Sequence, residues 1–284
     1  MKNIISYLES CKVCPKNCGV NRIKDELGAC NIGRYSYVSN FAPHFGEEPC
    51  IKGEFGSGTI FFSSCNLSCV FCQNHTTSQE VSGRKTSPKV LSNMMLSLQD
   101  KGCHNINFVS PSHVVPQILE ALEIAKDAGL SVPIVYNTSG YDSLEMIDVL
   151  KDKVDIYLVD VKFFNKDSSK RYVKASNYAE VVKKTLKKMQ EQVGDLQLGS
   201  DGLAKKGVLI RHLIMPGLYD ESREIIDFIS EEISPNSYIN LMGHYRPEWQ
   251  VTQTDKYPEI NKKVPKSEYQ LLKEYILNKN LNLI

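Results

Sequence analysis

The sequence contains no apolar run long enough to cross a membrane and carries little net charge. A membrane span needs about 20 consecutive apolar residues, and no stretch of the 284 residues approaches that length. Residues 1–6 lack the apolar core of a signal peptide, so we expect a cytoplasmic protein without a membrane partner. The formal net charge of +1 gives no field that would attract nucleic acid. With 42% hydrophobic residues, the chain can form a substantial globular core.

Cysteine, in contrast, is abundant, with nine residues. Because the cytosol keeps thiols reduced, disulfides do not explain this number, and metal or cluster binding is the leading explanation. Cys50 and Cys103 stand alone, and we interpret them as small buried apolar side chains. The other seven form an N-terminal quartet, Cys11, Cys14, Cys18 and Cys30, and a triplet, Cys65, Cys69 and Cys72.

The triplet has the spacing Cys-x3-Cys-x2-Cys and follows a short apolar run. Three thiolates can hold three irons of a cubane cluster and leave the fourth iron open to another molecule. Three core residues on a helix face would have a similar spacing, but most neighbouring side chains are polar: Ser63, Ser64, Asn66, Ser68 and Gln73. A structural zinc ion needs a fourth ligand, and only His75 is near in sequence. The spacing therefore favours a cluster with one open iron.

From residue 58 onward, short apolar strands alternate with amphipathic helices. The predicted strands cover residues 58–62, 105–109, 132–136, 156–161, 207–214 and 238–242. The predicted helices cover residues 87–101, 114–128, 143–150, 178–192, 222–233 and 267–278. Residues 194–206, rich in glycine and polar side chains, predict a loop. Six strand–helix units predict an α/β fold with a parallel sheet, either a barrel or an open doubly wound sheet.

Residues 1–57 show little strand or helix periodicity. We therefore expect two parts, a Cys-rich metal-binding segment at residues 1–57 and the main α/β domain at residues 58–284.

Polar residues occur where the predicted strands end, which is where ligands of parallel α/β proteins bind. They are Ser110, Ser112, His113, Asn137, Thr138, Asp160, Lys162, Arg211, His212, His244, Tyr245 and Arg246. Because side chains alternate along a strand, Asp160 and Lys162 lie on the same face as the apolar residues before them. A carboxylate and an ammonium group are therefore predicted at the end of one row of interior side chains. Arg211 and His212 point to opposite faces, so at most one of them enters a site.

The triplet, with the aromatic Phe71 before its last cysteine, resembles the signature of the radical S-adenosylmethionine (SAM) superfamily. The resemblance covers residues 58 to about 280. More narrowly, the segments Cys-Gln-Asn at 72–74, Asp-Val-Lys at 160–162 and Arg-His-Leu-Ile-Met-Pro-Gly at 211–217 resemble the pyruvate formate-lyase activating enzyme group. The N-terminal cysteine motif, Cys-Pro-Lys-Asn-Cys-Gly-Val-Asn-Arg at 14–22 with Gly-Ala-Cys at 28–30, resembles a stand-alone branch of that group.

This resemblance implies a partial (β/α)6 TIM-like barrel of the radical SAM type, preceded by a small Cys-rich segment. It implies a [4Fe-4S] cluster on Cys65, Cys69 and Cys72 that reductively cleaves SAM to a 5′-deoxyadenosyl radical, and no catalytic side chain beyond these ligands. The implied SAM-binding side chains are Asn137, Asp160, Lys162, Arg211 and His113. The Gly-Gly-Glu segment with which many members hold the SAM amino group is absent, and residues 110–113, Ser-Pro-Ser-His, stand in its place.

The resemblance also implies partners. An electron donor such as flavodoxin or ferredoxin would reduce the cluster, and a glycyl radical enzyme would lose a hydrogen atom from its glycine. One alternative is a radical SAM enzyme that acts on a small molecule or peptide. A second alternative is a non-catalytic iron–sulfur or zinc protein.

The N-terminal quartet supplies four thiolates within 20 residues, and nearby glycines give the backbone room to wrap a metal. Zinc and a second iron–sulfur cluster both fit this spacing, and unmetallated or redox-active cysteines remain alternatives. Cys50 could also replace Cys30. A metal here would help to order a segment that is too short to build its own core.

Overall fold

The computed structural model describes residues 4–284, which form one mostly parallel sheet covered by helices. The strands are β1 (Ser36–His44), β2 (Ser57–Phe62), β3 (Arg84–Thr86), β4 (Ile106–Val109), β5 (Ile134–Thr138), β6 (Ile156–Asp160), β7 (Gln197–Leu198), β8 (Ala204–Leu213), β9 (Tyr238–Met242) and β10 (Asn282–Leu283). All six predicted strands are present with small shifts at their ends.

The strand order is β10-β9-β8-β6-β5-β4-β2-β1-β3, with β7 paired to β8. The neighbours from β2 to β10 along this order are parallel. On the other side of β2, β1 and β3 are antiparallel additions. Because β3 and β10 end the order, the sheet does not close. The predicted partial barrel is confirmed.

The helices are α1 (Pro49–Lys52), α2 (His75–Ser78), α3 (Pro88–Asp100), α4 (Val115–Asp127), α5 (Leu144–Val149), α6 (Lys166–Ser168), α7 (Tyr178–Val193), α8 (Tyr219–Phe228), α9 (Gln250–Gln253) and α10 (Lys266–Asn278). Short 3-10 segments cover Ile4–Leu8 and Arg22–Lys24, and π-helical turns cover Ser169–Val173 and Ile229–Ile233. The six predicted helices are confirmed. Among residues 4–284, no helix is both long and apolar enough to span a membrane.

Helix α7 shows why the periodicity of apolar residues predicts the helices. Its buried side chains include Val182, Leu186, Met189 and Val193, which recur every three to four residues and form one apolar face. The intervening lysines lie on the solvent side. Burial of this stripe against the sheet, rather than intrinsic propensity, supplies most of the stability of such a helix.

Two regions differ from the sequence-based predictions. Strand β1 lies in a segment without apparent periodicity, because it is partly exposed along most of its length and has no simple alternation of burial. The loop predicted for residues 194–206 is wrong in part: Gln197–Leu198 pairs with the start of β8. Gly202, with φ of +73°, permits the tight turn that joins them.

The interior of the barrel contains its own small apolar cluster, separate from the core beneath the helices. Strands β5, β6 and β8 contribute Val135, Ile156, Leu158 and Leu209. Cys50 and Ile51 of α1 pack into the same cluster, so the connection from β1 to β2 covers the lower end of the barrel. The proposed division at residue 57 stays a prediction, although β1 is hydrogen-bonded into the main sheet.

Candidate functional site

A cavity of about 680 Å³ lies at the C-terminal ends of the parallel strands. The triplet lies on the loop that follows β2 and lines this cavity. Eight of the predicted site residues line it as well: Ser110, Asn137, Thr138, Asp160, Lys162, Arg211, His244 and Tyr245. The structure thus brings residues from five successive parallel strand ends together, as the strand-end argument predicts.

The triplet loop is held by backbone and side-chain contacts. The amides of Ser68 and Val70 donate to the carbonyls of Val173 and Tyr172, at 3.3 and 2.8 Å. Phe71 packs edge-on against Phe163 and Tyr245, with ring centroids 6.1 and 6.2 Å apart. These contacts fix the loop while its cysteine side chains face the cavity.

The thiols fit an iron–sulfur cluster. Burial raises the pKa of Cys65 to about 11 and also raises the pKa of Cys69. Thiolates in such a place need compensating positive charge, which iron supplies. A zinc ion at about 2.3 Å from each sulfur would hold the sulfurs about 3.8 Å apart. Among residues 4–284, no three Cys, His, Asp or Glu side chains converge on a single-ion site. A polynuclear cluster instead spreads its ligands over separate irons.

Asp160 is the centre of a charged network beside the triplet. Lys162 Nζ lies 3.0 Å from Asp160 Oδ2, and Arg211 Nε lies 2.6 Å from Asp160 Oδ1. Burial alone raises the pKa of Asp160, but Arg211 and Lys162 outweigh it and lower the pKa to about 2. Burial lowers the pKa of Lys162, but the charges of Asp160 and Cys69 outweigh it and the net pKa is raised. Both groups of the pair are therefore ionised at neutral pH.

Arg211 and His212 point to opposite faces, as strand alternation predicts. Arg211 Nη2 donates to Asn137 Oδ1 at 2.8 Å inside the cavity. His212 is buried outside it, with Nδ1 2.8 Å from the Val161 carbonyl and Nε2 2.9 Å from Ser222 Oγ. Burial lowers the pKa of His212 to about 4, so its imidazole is neutral. Only Arg211 enters the site.

Two glutamates that no sequence pattern indicated form the floor of the cavity. Glu47 Oε2 lies 3.3 Å from Arg211 Nη1, and Glu48 Oε1 accepts from Asn240 Nδ2 at 2.8 Å. Burial raises the pKa of Glu47, and Arg211 offsets part of this effect. Glu48 Oε2 is buried without a hydrogen-bond partner within the described chain. Both residues lie in the unpatterned segment before α1, so only the fold brings them to Arg211.

The residues at 110–113 have different positions. Ser110 lines the cavity in a left-handed conformation, with φ of +56°. Ser112 is buried and its Oγ lies 3.1 Å from Thr138 Oγ1. His113 is buried outside the cavity, with Nε2 3.0 Å from the Ser63 carbonyl. The structure therefore brings Ser110, and not His113, to the predicted SAM site.

The N-terminal quartet is also brought together, on the far side of the triplet loop. Burial raises the pKa of Cys14 to about 12, and the charges of Cys30 and Cys11 add to this rise. Cys30 is influenced in turn by Cys11 and Cys18. Cys50 lies in the barrel interior and is packed among apolar side chains. The quartet thus consists of Cys30 rather than Cys50, and its metal stays a prediction.

Comparison with known proteins places these features in a family. The chain matches the radical SAM superfamily over residues 59–229. An uncharacterized protein of Methanocaldococcus jannaschii is 33% identical over 291 residues, which cover 100% of this chain and 78% of that protein.

Solved structures share the fold at low identity. A radical SAM methyltransferase from Sphaerobacter thermophilus has a TM-score of 0.56 and 14% identity, over 80% of this chain and 65% of that chain. SuiB of Streptococcus suis bound to S-adenosylmethionine has a TM-score of 0.52 and 16% identity, over 79% of this chain and 46% of that chain. The chain thus spans about half the length of SuiB. The match over residues 59–229, more than half of the chain, shows that the chain belongs to the radical SAM superfamily.

Proposed function

We propose that this protein is an enzyme that holds a [4Fe-4S] cluster on Cys65, Cys69 and Cys72, cleaves SAM reductively, and generates a glycyl radical on a partner protein. The observation that carries the proposal is the triplet of thiols facing a cavity beside the ion pair of Asp160 and Lys162. When bound, the cluster and SAM supply a one-electron cleavage of the sulfonium and the means to remove a hydrogen atom from a substrate.

The side chains of this cavity can bind and orient SAM. Lys162 has three N–H donors, and Asp160 accepts one of them, so two remain for the SAM carboxylate. Asn137 Oδ1 accepts from Arg211, and the Nδ2 amino group of Asn137 remains to donate to the ribose or the amino acid part of SAM. Ser110, at the cavity wall, is the candidate acceptor for the SAM amino group in place of Gly-Gly-Glu. Phe71 and Tyr245 supply aromatic cover that limits the entry of water.

A protein substrate is favoured by the open side of the sheet and by the sequence motifs. The sheet is open between its two end strands, β3 and β10. On the side of β3 the cavity is lined by His44 of β1, and on the side of β10 by Met242 of β9. An extended loop that carries a glycine could enter there, since a backbone segment with no side chain at its centre needs little width. The segments at 72–74, 160–162 and 211–217, which resemble glycyl radical activating enzymes, agree with this choice of partner.

A small molecule or a peptide is the second candidate substrate. The volume of about 680 Å³ falls within the range of about 300–1,000 Å³ that is usual for small-ligand sites. SuiB, which shares the fold with a TM-score of 0.51, has been solved with a bound precursor peptide.

The test is a cleavage assay under anaerobic conditions. Reconstituted protein, reduced and mixed with SAM, should produce 5′-deoxyadenosine and methionine, and Cys69→Ala should produce neither. Cys103→Ala is the matched control, because Cys103 is buried in the helix-side core away from the cavity. Adding a glycyl radical enzyme should give a glycyl radical EPR signal. Failure of the unmodified protein to cleave SAM under strong reduction would refute the enzymatic proposal, and an EPR spectrum unchanged by SAM would favour a non-catalytic cluster.

A further inference from the structure

The N-terminal quartet forms a buried group that the proposed reaction does not use. Cys11, Cys14 and Cys30 are 3%, 6% and 5% exposed, and Cys18 is half-buried. A Cβ atom on Gly28 would lie 2.4 Å from Cys18 Sγ, so any larger residue here would displace this sulfur. Four thiols gathered around a glycine-lined turn have the chemistry of a ligand set.

The quartet does not form a single-ion site in the described part of the chain. Sulfurs on one tetrahedral zinc are about 3.8 Å apart, and no three ligating side chains converge in this way in the described part of the chain. The triplet, which the family assigns to an iron–sulfur cluster, likewise forms no single-ion site in the described residues. We therefore compare the quartet with the triplet rather than with a zinc finger.

Arg22 supplies an independent observation. It is 1% exposed, and its Nη1 lies 3.8 Å from Cys11 Sγ and donates to the His113 carbonyl at 2.7 Å. Its Nε donates to the Gly33 carbonyl at 3.0 Å, while the buried Nη2 has no hydrogen-bond partner within the described chain. A buried guanidinium needs a nearby negative charge. No carboxylate in residues 4–284 forms an ion pair with Arg22, so an anionic thiolate-ligated centre is the group that would balance it.

The quartet also contacts the triplet loop directly. Ser64 Oγ donates to the Cys30 carbonyl at 2.6 Å, and Ser64 precedes Cys65 in the chain. Asn66, which follows Cys65, lies with Oδ1 3.9 Å from Cys65 Sγ and is also hydrogen-bonded to Cys14. The residues on both sides of one cluster ligand therefore contact two cysteines of the quartet.

We propose that Cys11, Cys14, Cys18 and Cys30 hold a second iron–sulfur cluster, which passes single electrons from a donor protein to the cluster on the triplet. The step is an electron transfer: the donor loses one electron, the N-terminal cluster gains and releases it, and the triplet cluster is reduced. No bond forms or breaks. The donor class is a flavodoxin or ferredoxin. The electron's destination rests on the proposed function, whereas the presence of the second cluster does not.

Metal analysis tests the cluster. After anaerobic reconstitution, the unmodified protein and Cys103→Ala should contain about eight irons and eight sulfides per chain, and Cys14→Ala and Cys69→Ala about four of each. Cys18→Ser is the second quartet variant, because replacing the half-buried Cys18 should disturb packing less than replacing the buried Cys14. Four irons with one zinc, or four irons alone, in the unmodified protein would overturn the second cluster.

A comparison of reductants tests the relay. Cys18→Ser, with about four irons left on the triplet, should cleave SAM as well as unmodified protein when a small-molecule reductant is used. It should lose this activity when reduced flavodoxin or ferredoxin is the donor. If Cys18→Ser kept full SAM cleavage with both donors, or lost it to the same extent with both, the relay would be overturned. Unmodified protein with about eight irons but no cleavage with either donor would refute the proposed function and the relay, while supporting the second cluster.

Discussion

The replacement Arg211→Met tests how much the cavity floor depends on one guanidinium. Arg211 lies 2.6 Å from Asp160, 3.3 Å from Glu47 and 4.0 Å from Glu48. The side chain of Arg211 is 16% exposed, and those of the two glutamates are 7% and 4% exposed. Removing one partner of a buried ion pair costs about 3–5 kcal/mol, because the other charge stays buried without compensation.

This free energy converts into a measurable change of Tm. At about 2 °C per kcal/mol, the lower end of the range for large chains, Arg211→Met should lower Tm by about 6–10 °C. Glu47→Gln alone should lower Tm, because Arg211 loses a carboxylate 3.3 Å from its Nη1, although the burial that raises the pKa of Glu47 offsets part of this loss. In the Arg211→Met background, Glu47→Gln should restore about 1–3 kcal/mol, since it removes a repelling carboxylate. Circular dichroism of anaerobically reconstituted protein follows the transition.

Lys205→Met is the matched control on the same strand. Lys205 Nζ lies 2.8 Å from Asp201 Oδ2, but both side chains are 50% exposed. An exposed pair of this kind contributes about 0–1 kcal/mol. If Arg211→Met lowered Tm no more than Lys205→Met, or if Glu47→Gln had the same effect in both backgrounds, the reasoning about the buried network would be refuted.

Three further predictions concern single residues. Lys162→Met should weaken SAM binding to the reconstituted protein about tenfold to a hundredfold in equilibrium dialysis, because a hydrogen bond to a charged group contributes about 1.5–3 kcal/mol; unchanged affinity would contradict the assigned contact. Because the pKa of Asp160 is lowered to about 2, its ionised form stabilises the fold above pH 4 and this contribution of about 2 kcal/mol is lost as pH falls towards 2. The stability difference between unmodified protein and Asp160→Asn in urea unfolding should thus narrow from pH 5 to pH 3, and a constant difference would count against it. Gly140→Ala should lower stability by about 1–3 kcal/mol more than Gly129→Ala, because both have positive φ but only at Gly140 would a Cβ meet Val182, at 2.5 Å; equal losses would show that Val182 moves aside.

The sequence predicted those parts of the site that depend on local pattern. The triplet spacing, the strand before it and the shared face of Asp160 and Lys162 follow from residues close together in the chain, and the structure has all three features in one cavity. The floor could not be predicted in this way. Glu47 contacts Arg211 across 164 residues, and it follows β1, a strand that is partly exposed along most of its length.

Arg22 illustrates a second limit of sequence reasoning. Its contact with the His113 carbonyl spans 91 residues. Nothing in its sequence neighbourhood indicates that it is buried, because arginine is usually exposed. The N-terminal cysteines predicted a metal, but only the fold showed that their turn contacts the triplet loop through Ser64. The alternation and spacing of residues therefore predict the structure of a single helix or strand. Contacts between elements that are far apart in the sequence are seen only in the structure.

The apolar cluster inside the barrel limits the routes by which molecules can enter and leave the cavity. Since Cys50 and Ile51 of α1 pack among the lower strand residues, the cavity is a well with a closed lower end. Under the proposed function, SAM, the substrate and the products would then share the opening above the strands and along the open side of the sheet, and none of them could pass through the lower end. A bound substrate would stand in the path of departing methionine, so the order of arrival and departure follows from the shape of the well rather than from affinities alone.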